Sequence, residues 1–198
     1  MRRAWGAALL AVSIFSAGMA AAQTANTSSG RKQASSAKAI AFRQAVADFL
    51  AQRSQLQEQA GAAFKREMAH KKAGDCPDAR TTYAKEMCLS KADQAAEGDY
   101  KSLSGAIRAL LGQKNPFFAN TDPLVGPSGK PLSTADLVKG FDQAEAEWQA
   151  YRKTQCRAAY DLFKGGTIAP VMAGRCELRL IRSRMADLNS IYDMTLHH

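Results

Sequence analysis

Few side chains in this 198-residue chain are spaced for catalysis. A nucleophilic triad needs a histidine beside a nucleophile, but His70 stands alone in a basic cluster and His197 and His198 are the last two residues. Glu145 and Glu147 are two positions apart, so on a helix they do not face each other as an acid–base pair. There is also no phosphate-binding loop and no haem or redox Cys-x-x-Cys motif. The sequence therefore favours a protein that is not an enzyme and uses no cofactor.

The four cysteines, Cys76, Cys88, Cys156 and Cys176, are better suited to disulfides than to metal. An even number of cysteines in an exported chain is typical of two bridges. Structural zinc sites usually contain Cys-x-x-Cys pairs or clustered histidines, and this chain has neither pattern. We therefore expect no metal site.

The N-terminus has the pattern of a secretory signal. Arg2 and Arg3 precede an apolar stretch over residues 4–18 and three alanines at 20–22, which predicts a signal peptide over 1–22. The apolar stretch is shorter than the ~20 residues that a membrane span needs. No cysteine lies near the cleavage site, so a lipoprotein anchor is not supported. We expect a periplasmic or secreted protein without a transmembrane anchor after processing.

The chain is distinctly basic, with a formal net charge of +9 that falls by two if Arg2 and Arg3 are removed with the signal peptide. Such a surface can approach anionic envelope components, although solubility alone also explains it. Basic residues interleaved with aromatic residues are absent, so we expect no specific nucleic-acid partner.

The first segments of the processed chain differ in pattern. Residues 23–37 are polar without an apolar period, which predicts a disordered lead-in. Residues 38–72 lack proline and place apolar residues at three- and four-residue steps, which predicts one long amphipathic helix. The apolar residues of this helix are Phe42, Val46, Phe49, Leu50, Leu56, Ala60, Phe64 and Met68.

Residues 75–195 form the predicted helical domain. Its helices should run from near Asp78 to Leu111, from a cap at Ser133 or Thr134 to about Phe163, and over about 171–194. Period-two alternation of useful length is absent, so no strand is predicted. The fold class is therefore all-α: a disulfide-braced helical hairpin or small bundle of about four helices, with the long amphipathic helix at its N-terminus. An apolar stripe on the last helix comprises Leu178, Ile181, Met185, Leu188 and Tyr192.

The cysteine pairing depends on the hairpin. A hairpin centred near residue 124 places Cys88 opposite Cys156 and Cys76 opposite Cys176, which favours nested bridges. The local alternative joins Cys76 to Cys88 and Cys156 to Cys176. A fully helical 76–88 segment would separate its ends by ~18 Å, and a bridge tolerates only ~7 Å between Cα atoms. Turns at Pro77 and Gly165 would rescue the local pairing.

The segment over residues 112–133 contains four prolines and must be a loop. Its apolar residues either fold back onto the helices as a lid, which we favour, or form a contact surface for a partner. They are the first candidates for partner binding: Phe117, Phe118, Leu124 and Val125.

Trp148, Tyr151 and Arg152 share one helical face at i, i+3 and i+4. Residues of these types are common in binding hot spots, but packing between helices explains them better. Gly165 and Gly166 predict a helix stop, and the turn they form, with Thr167, is a second candidate contact surface. Among the arginines of the last helix, Arg175, Arg179, Arg182 and Arg184, we expect Arg184 to point inward.

Residues 75–190 resemble the lysozyme inhibitor LprI-like N-terminal domain, a family of small, exported, cysteine-bridged helical bacterial proteins. The resemblance is strongest from 143 to 188, where the tryptophan, tyrosine, arginine and cysteine motif and the paired glycines recur in order. The residues that carry it are Asp75, Cys76, Thr81, Thr82, Cys88, Gln143, Trp148, Tyr151, Arg152, Cys156, Gly165, Gly166, Thr167, Pro170, Cys176, Arg184 and Leu188.

The resemblance implies a protein that binds and inhibits lysozyme or another cell-wall hydrolase. The alternative is a basic accessory protein that binds anionic envelope components or a protein partner.

Overall fold

The regular structure in the described residues is helical. The computed structural model describes residues 24–118, 129 and 131–197, and the side chains from residue 36 onward except that of Phe118. The signal peptide predicted over 1–22 and the candidates Leu124 and Val125 lie outside the described residues. The helices are α1 (Thr24–Ala73), α2 (Thr82–Gly112), α3 (Thr134–Leu162), α4 (Ala169–Ile191) and α5 (Asp193–His197), with a 3-10 turn at Pro116–Phe118. Within these residues there is no strand, as predicted.

Helix α1 differs from its predicted start. It begins at Thr24, inside the segment predicted to be disordered, because that segment contains no proline to stop a helix propagating from the residues that follow. The chain divides into two compact units, Met1–Arg43 and Gln44–His198. The second unit therefore begins within α1.

The helix starts follow from their caps. Helix α2 begins at Thr82, later than the predicted Asp78, because the Thr81 side chain accepts a hydrogen bond of 3.0 Å from the Ala84 amide. Helix α3 begins where predicted, and Ser133 and Asp136 form a capping box there. Each cap satisfies an amide that the first helical turn leaves without a partner.

Helix α4 lies at the centre of the second unit and packs against both α2 and α3. The predicted stripe on α4 is confirmed, since its first four residues are buried and Tyr192 packs against them. From α2, Leu103 and Ile107 are also fully buried, and from α1, Ala60 and Ala63. Each fully buried leucine, isoleucine or methionine side chain contributes about 1.5–3 kcal/mol to the free energy of unfolding.

The predicted antiparallel hairpin of α2 and α3 is present. Arg108 of α2 pairs with Asp142 of α3 at 2.7 Å, and two turns earlier along α2 the Tyr100 ring lies 4.9 Å from the Trp148 ring.

The nested disulfide pairing is wrong, because the bridges are local. Cys76 bonds Cys88 and Cys156 bonds Cys176, with Cα–Cα distances of 5.9 and 5.4 Å. The first loop closes because α2 starts only at Thr82, and Cys76 itself has a φ of 57°, so residues 76–81 turn back. The second closes because Cys156 and Cys176 lie equally far from Gly166, at the turn that joins α3 to α4.

In the part of the chain that the structure describes, no helix is both long and apolar enough to cross a membrane.

The local pairing can be tested by digesting the unreduced protein and sequencing the linked peptides by mass spectrometry. We expect one peptide that joins Cys76 to Cys88 and another that joins Cys156 to Cys176. Replacing Cys156 and Cys176 together by alanine should lower the free energy of unfolding by about 3 kcal/mol, since the bridge closes a loop of moderate length. A peptide joining Cys88 to Cys156 would contradict this pairing.

Candidate functional site

Trp148 lies in a polar seam between α2, α3 and α4, not on an exposed docking face. Its indole is partly buried against the core and lies 5.4 Å from the guanidinium carbon of Arg152 and 5.9 Å from that of Arg184. Cation–π contacts of this kind stabilise by roughly 0.5–2 kcal/mol. The packing interpretation is therefore the better one for Trp148.

Arg152 ties the three helices of the seam together. Its guanidinium binds Glu97 of α2 and Glu177 of α4, each at 2.6 Å. Nearby, burial raises the pKa of Asp93 above its ordinary value, and repulsion from Glu177 raises it further. The half-buried Arg152 is thus a structural cation that neutralises acidic groups on both neighbouring helices.

Arg184 points inward, although Arg182 of the same helix is buried more deeply. It binds Oε1 of Glu145 on α3, with an Nε–O distance of 2.9 Å, and the Tyr100 hydroxyl donates to Oε2 of the same carboxylate. Burial and this hydrogen bond raise the pKa of the Tyr100 hydroxyl above its ordinary value, so Tyr100 remains a neutral donor. Glu145 therefore serves as an acceptor for two helices and is not free to act as a base.

Among the arginines whose side chains the structure describes, Arg182 is the most buried, and the sequence pattern did not single it out. Its Nε donates to Oε1 of Glu67 at 2.6 Å, and its two terminal nitrogens bind the Asp75 carboxylate at 2.5 and 2.7 Å. Hydrogen bonding to Asp75 raises the pKa of Arg182, so the guanidinium stays charged although it is buried. It joins α1, the turn after α1, and α4. One feature of the sequence could have predicted this burial, because Arg182 lies one helical turn after the apolar residue Leu178.

Three further residues of the family motif, Leu188, Gln143 and Tyr151, differ in their exposure. Leu188 is fully buried, and Gln143 donates to Glu147 on the exposed face of α3 at 2.9 Å. Tyr151 is 54% exposed, so it does not share the inward face of Trp148 and Arg152.

The turn between α3 and α4, residues 162–168, is exposed, and we call it the tip. Leu162 is 78% exposed and Ile168 45% exposed, and Lys164 and Thr167 are exposed between them. Gly165 has a φ of 90°, a left-handed conformation that glycine adopts without strain. Hydrogen bonds from the Gly166 amide to Phe163 and from the Ala169 amide to Gly166 close the turn. The Cys156–Cys176 bridge braces its base.

The described start of the 112–133 loop lies beside α1. Asn115 and Phe117 line a concavity of about 400 Å³ with Phe49, Leu50 and Arg53. The Asn115 side chain accepts a hydrogen bond of 2.9 Å from the Phe117 amide. The described start of the loop therefore lies against α1, and Phe117 is half exposed there.

A second concavity is basic. Lys71, Arg175 and Arg179 line a pocket of about 430 Å³ whose wall includes Asp75 and Arg182. Arg175 and Arg179 are exposed, as the solvated-face interpretation of this helix predicts.

Replacing Arg182 by alanine should lower the free energy of unfolding by about 3–5 kcal/mol, because it strands the buried Glu67 carboxylate. Chemical denaturation monitored by circular dichroism measures the loss. The matched control is Arg179→Ala, an exposed arginine of the same helix, which should change stability by less than about 0.5 kcal/mol. Equal effects of the two substitutions would show that the Arg182 ion pairs contribute nothing.

The comparisons with known proteins agree with this architecture. The family model described as lysozyme inhibitor LprI matches residues 74–188, which is more than half of the chain and includes both disulfides, the seam, the tip and Arg182. Searches of curated proteins and of solved structures found no match. The chain is therefore a member of the lysozyme inhibitor LprI family.

Proposed function

We propose that this protein is an exported inhibitor that binds lysozyme or a related cell-wall hydrolase, and that it acts by binding and not by catalysis. The observation that carries the proposal is the tip, which presents apolar side chains to solvent on a braced turn within the family match. The two disulfides fit an oxidising compartment outside the cytoplasm.

The rigidity of the tip favours binding. Five backbone hydrogen bonds run through residues 160–172, and the bridge at its base joins the two helices that carry it. A contact loop already held in one conformation loses little conformational entropy when it binds. The exposed Leu162 and Ile168 supply apolar area that a cleft would bury.

The chemistry of the tip also suits a glycoside hydrolase cleft. Such clefts hold a pair of carboxyl groups about 5–9.5 Å apart on either side of the bond they cleave. Lys164 lies at the tip between the two apolar side chains in sequence and is exposed. An ammonium group inserted there would neutralise a catalytic carboxylate while the apolar residues exclude water.

Net charge shapes the choice of partner. The chain carries +9, or two less without Arg2 and Arg3, so it gains no long-range attraction to a basic lysozyme, and binding to one must depend on short-range contacts. Salt screens repulsion between like charges beyond about 8–10 Å. Association with a basic lysozyme should therefore accelerate as ionic strength rises, whereas association with an acidic hydrolase should slow.

The proposal is tested by measuring lysis of bacterial cell walls by several types of lysozyme with the oxidised protein in micromolar excess. We expect lysis to slow, and we expect Leu162→Ala combined with Ile168→Ala to raise the inhibitory concentration at least ~10-fold, because a contact residue of this kind contributes more than ~1 kcal/mol.

The matched control is Ile191→Ala combined with Met194→Ala, which removes two exposed apolar side chains outside the family match. This control should inhibit like the unchanged protein. Undisturbed lysis with every lysozyme type would contradict the proposed function, while inhibition that survives the tip substitutions would contradict the tip as the contact surface.

A second candidate function has its own observation, the basic concavity of Lys71, Arg175 and Arg179. Clustered cations attract anionic surfaces. The alternative proposal is therefore an accessory protein that binds anionic envelope components.

Sedimentation with phosphatidylglycerol vesicles tests this alternative. Arg175→Glu with Arg179→Glu should abolish binding at low salt, whereas Lys91→Glu with Lys139→Glu changes the net charge equally at other exposed positions and should weaken it less. Equal loss in both variants would show that net charge alone, not the concavity, drives the binding.

A further inference from the structure

Three potential metal ligands meet where the end of α1 faces α2. Glu67 and His70 are three residues apart on α1 and so lie on one face, and Asp99 approaches from α2. Each offers one ligand atom, and these atoms all lie within 4.8 Å of one another. The sequence contains no cysteine pair or histidine cluster that predicts this site, because the group forms only when two helices pack.

Glu67 has an oxygen with no hydrogen-bond donor. The residue is 1% exposed, and its Oε1 accepts from Arg182 at 2.6 Å. Its Oε2 is buried without a hydrogen-bond partner and lies 3.5 Å from Nδ1 of His70. A buried carboxylate oxygen without a donor costs free energy, and a cation bound between Glu67 and His70 would remove that cost.

Both carboxylates are held by arginines through one of their two oxygens. Arg66 binds Oδ1 of Asp99 at 2.6 Å, as Arg182 binds Oε1 of Glu67. A carboxylate has two oxygens, so each keeps one for a ligand bond while the guanidinium fixes its orientation. Outer contacts of this type are what orient the ligands of metal sites.

The charge of the group is also incomplete. Glu67, Asp75 and Asp99 are three carboxylates, and they are joined by two guanidiniums, those of Arg66 and Arg182. A bound metal ion would add positive charge beside the third carboxylate.

We propose that Glu67, His70 and Asp99 bind a divalent transition-metal ion of the zinc type, with a water in the fourth position. Imidazole and carboxylate ligands suit zinc, at bond lengths of about 2.0–2.2 Å. Ligand atoms of a tetrahedral zinc ion are then ~3.4 Å apart, close to the 3.5 Å between Glu67 Oε2 and His70 Nδ1. His70 is 60% exposed in its side chain, so it can close on the ion and the ion can enter from solvent.

Calorimetric titration of the oxidised protein with zinc chloride tests the site. We expect one zinc ion per chain and a rise in the melting temperature, because a ligand that binds only the folded state stabilises it. Magnesium chloride should give neither, since magnesium prefers oxygen ligands only. In the described residues all cysteines are in disulfides, so thiols do not compete.

His70→Gln should reduce zinc affinity at least ~10-fold and abolish the rise in melting temperature, as loss of one of three protein ligands requires. The matched control is His197→Gln with His198→Gln. His197 contacts the Asp193 carboxylate through Nδ1 at 2.9 Å, a histidine–carboxylate pair in which both side chains are exposed, and zinc binding should persist in this control.

Absence of stoichiometric zinc binding overturns the site, and so does binding that survives His70→Gln or disappears only in the control. In either case the contact between His70 and Glu67 has no role in metal binding. Circular dichroism of His70→Gln should match that of the unchanged protein, because the replaced side chain is largely exposed. If it does not match, Asp99→Asn serves as the second variant, and it must show the same loss of zinc affinity.

Discussion

The buried guanidinium of Arg182 is the interaction on which the arrangement of the helices depends. It binds Glu67 on α1 and Asp75 in the turn after α1, and it sits on the central helix α4. Removing charges from water costs several kcal/mol per ion, and such a group is stable only when its hydrogen bonds are made with good geometry. Three donor contacts meet that requirement. They also position the turn that carries Cys76 beside α2, where its bridge to Cys88 closes.

Helix α3 is held differently from its neighbours. Only Phe141 and Cys156 are buried along its length, so little apolar area fastens it. Its attachment comes from the Cys156–Cys176 bridge, from the ion pairs of Arg152 with Glu97 and Glu177, and from the contact of Trp148 with Arg184. Polar contacts and a covalent link fix the position of a helix more strictly than an apolar interface does, since they require matched partners. The same contacts therefore fix the position of the exposed turn at the end of α3.

Much of the fold follows from local sequence patterns. Helical periodicity, the Ser133 cap and the stripe around Ile181 are short-range features, and they were predictable. The disulfide pairing was not, because it depends on whether residues 76–81 continue a helix, and Thr81 decides that by capping α2. The role of Arg182 was hidden among neighbouring arginines, since its partner Glu67 is distant in sequence. The cluster of Glu67, His70 and Asp99 was invisible for the same reason.

The connectivity of the bridges has a consequence for how the protein matures. Each cysteine is joined to its nearest neighbour along the chain, so neither loop encloses the other. A chain that emerges into an oxidising compartment from its N-terminus and is oxidised in order of appearance forms the correct bonds directly. With nested bridges, the first cysteine could not form its correct bond until the last cysteine had emerged. Any incorrect bond formed earlier would need reshuffling by an isomerase. Local bridges of this kind therefore need little disulfide isomerisation when the cysteines are oxidised in chain order.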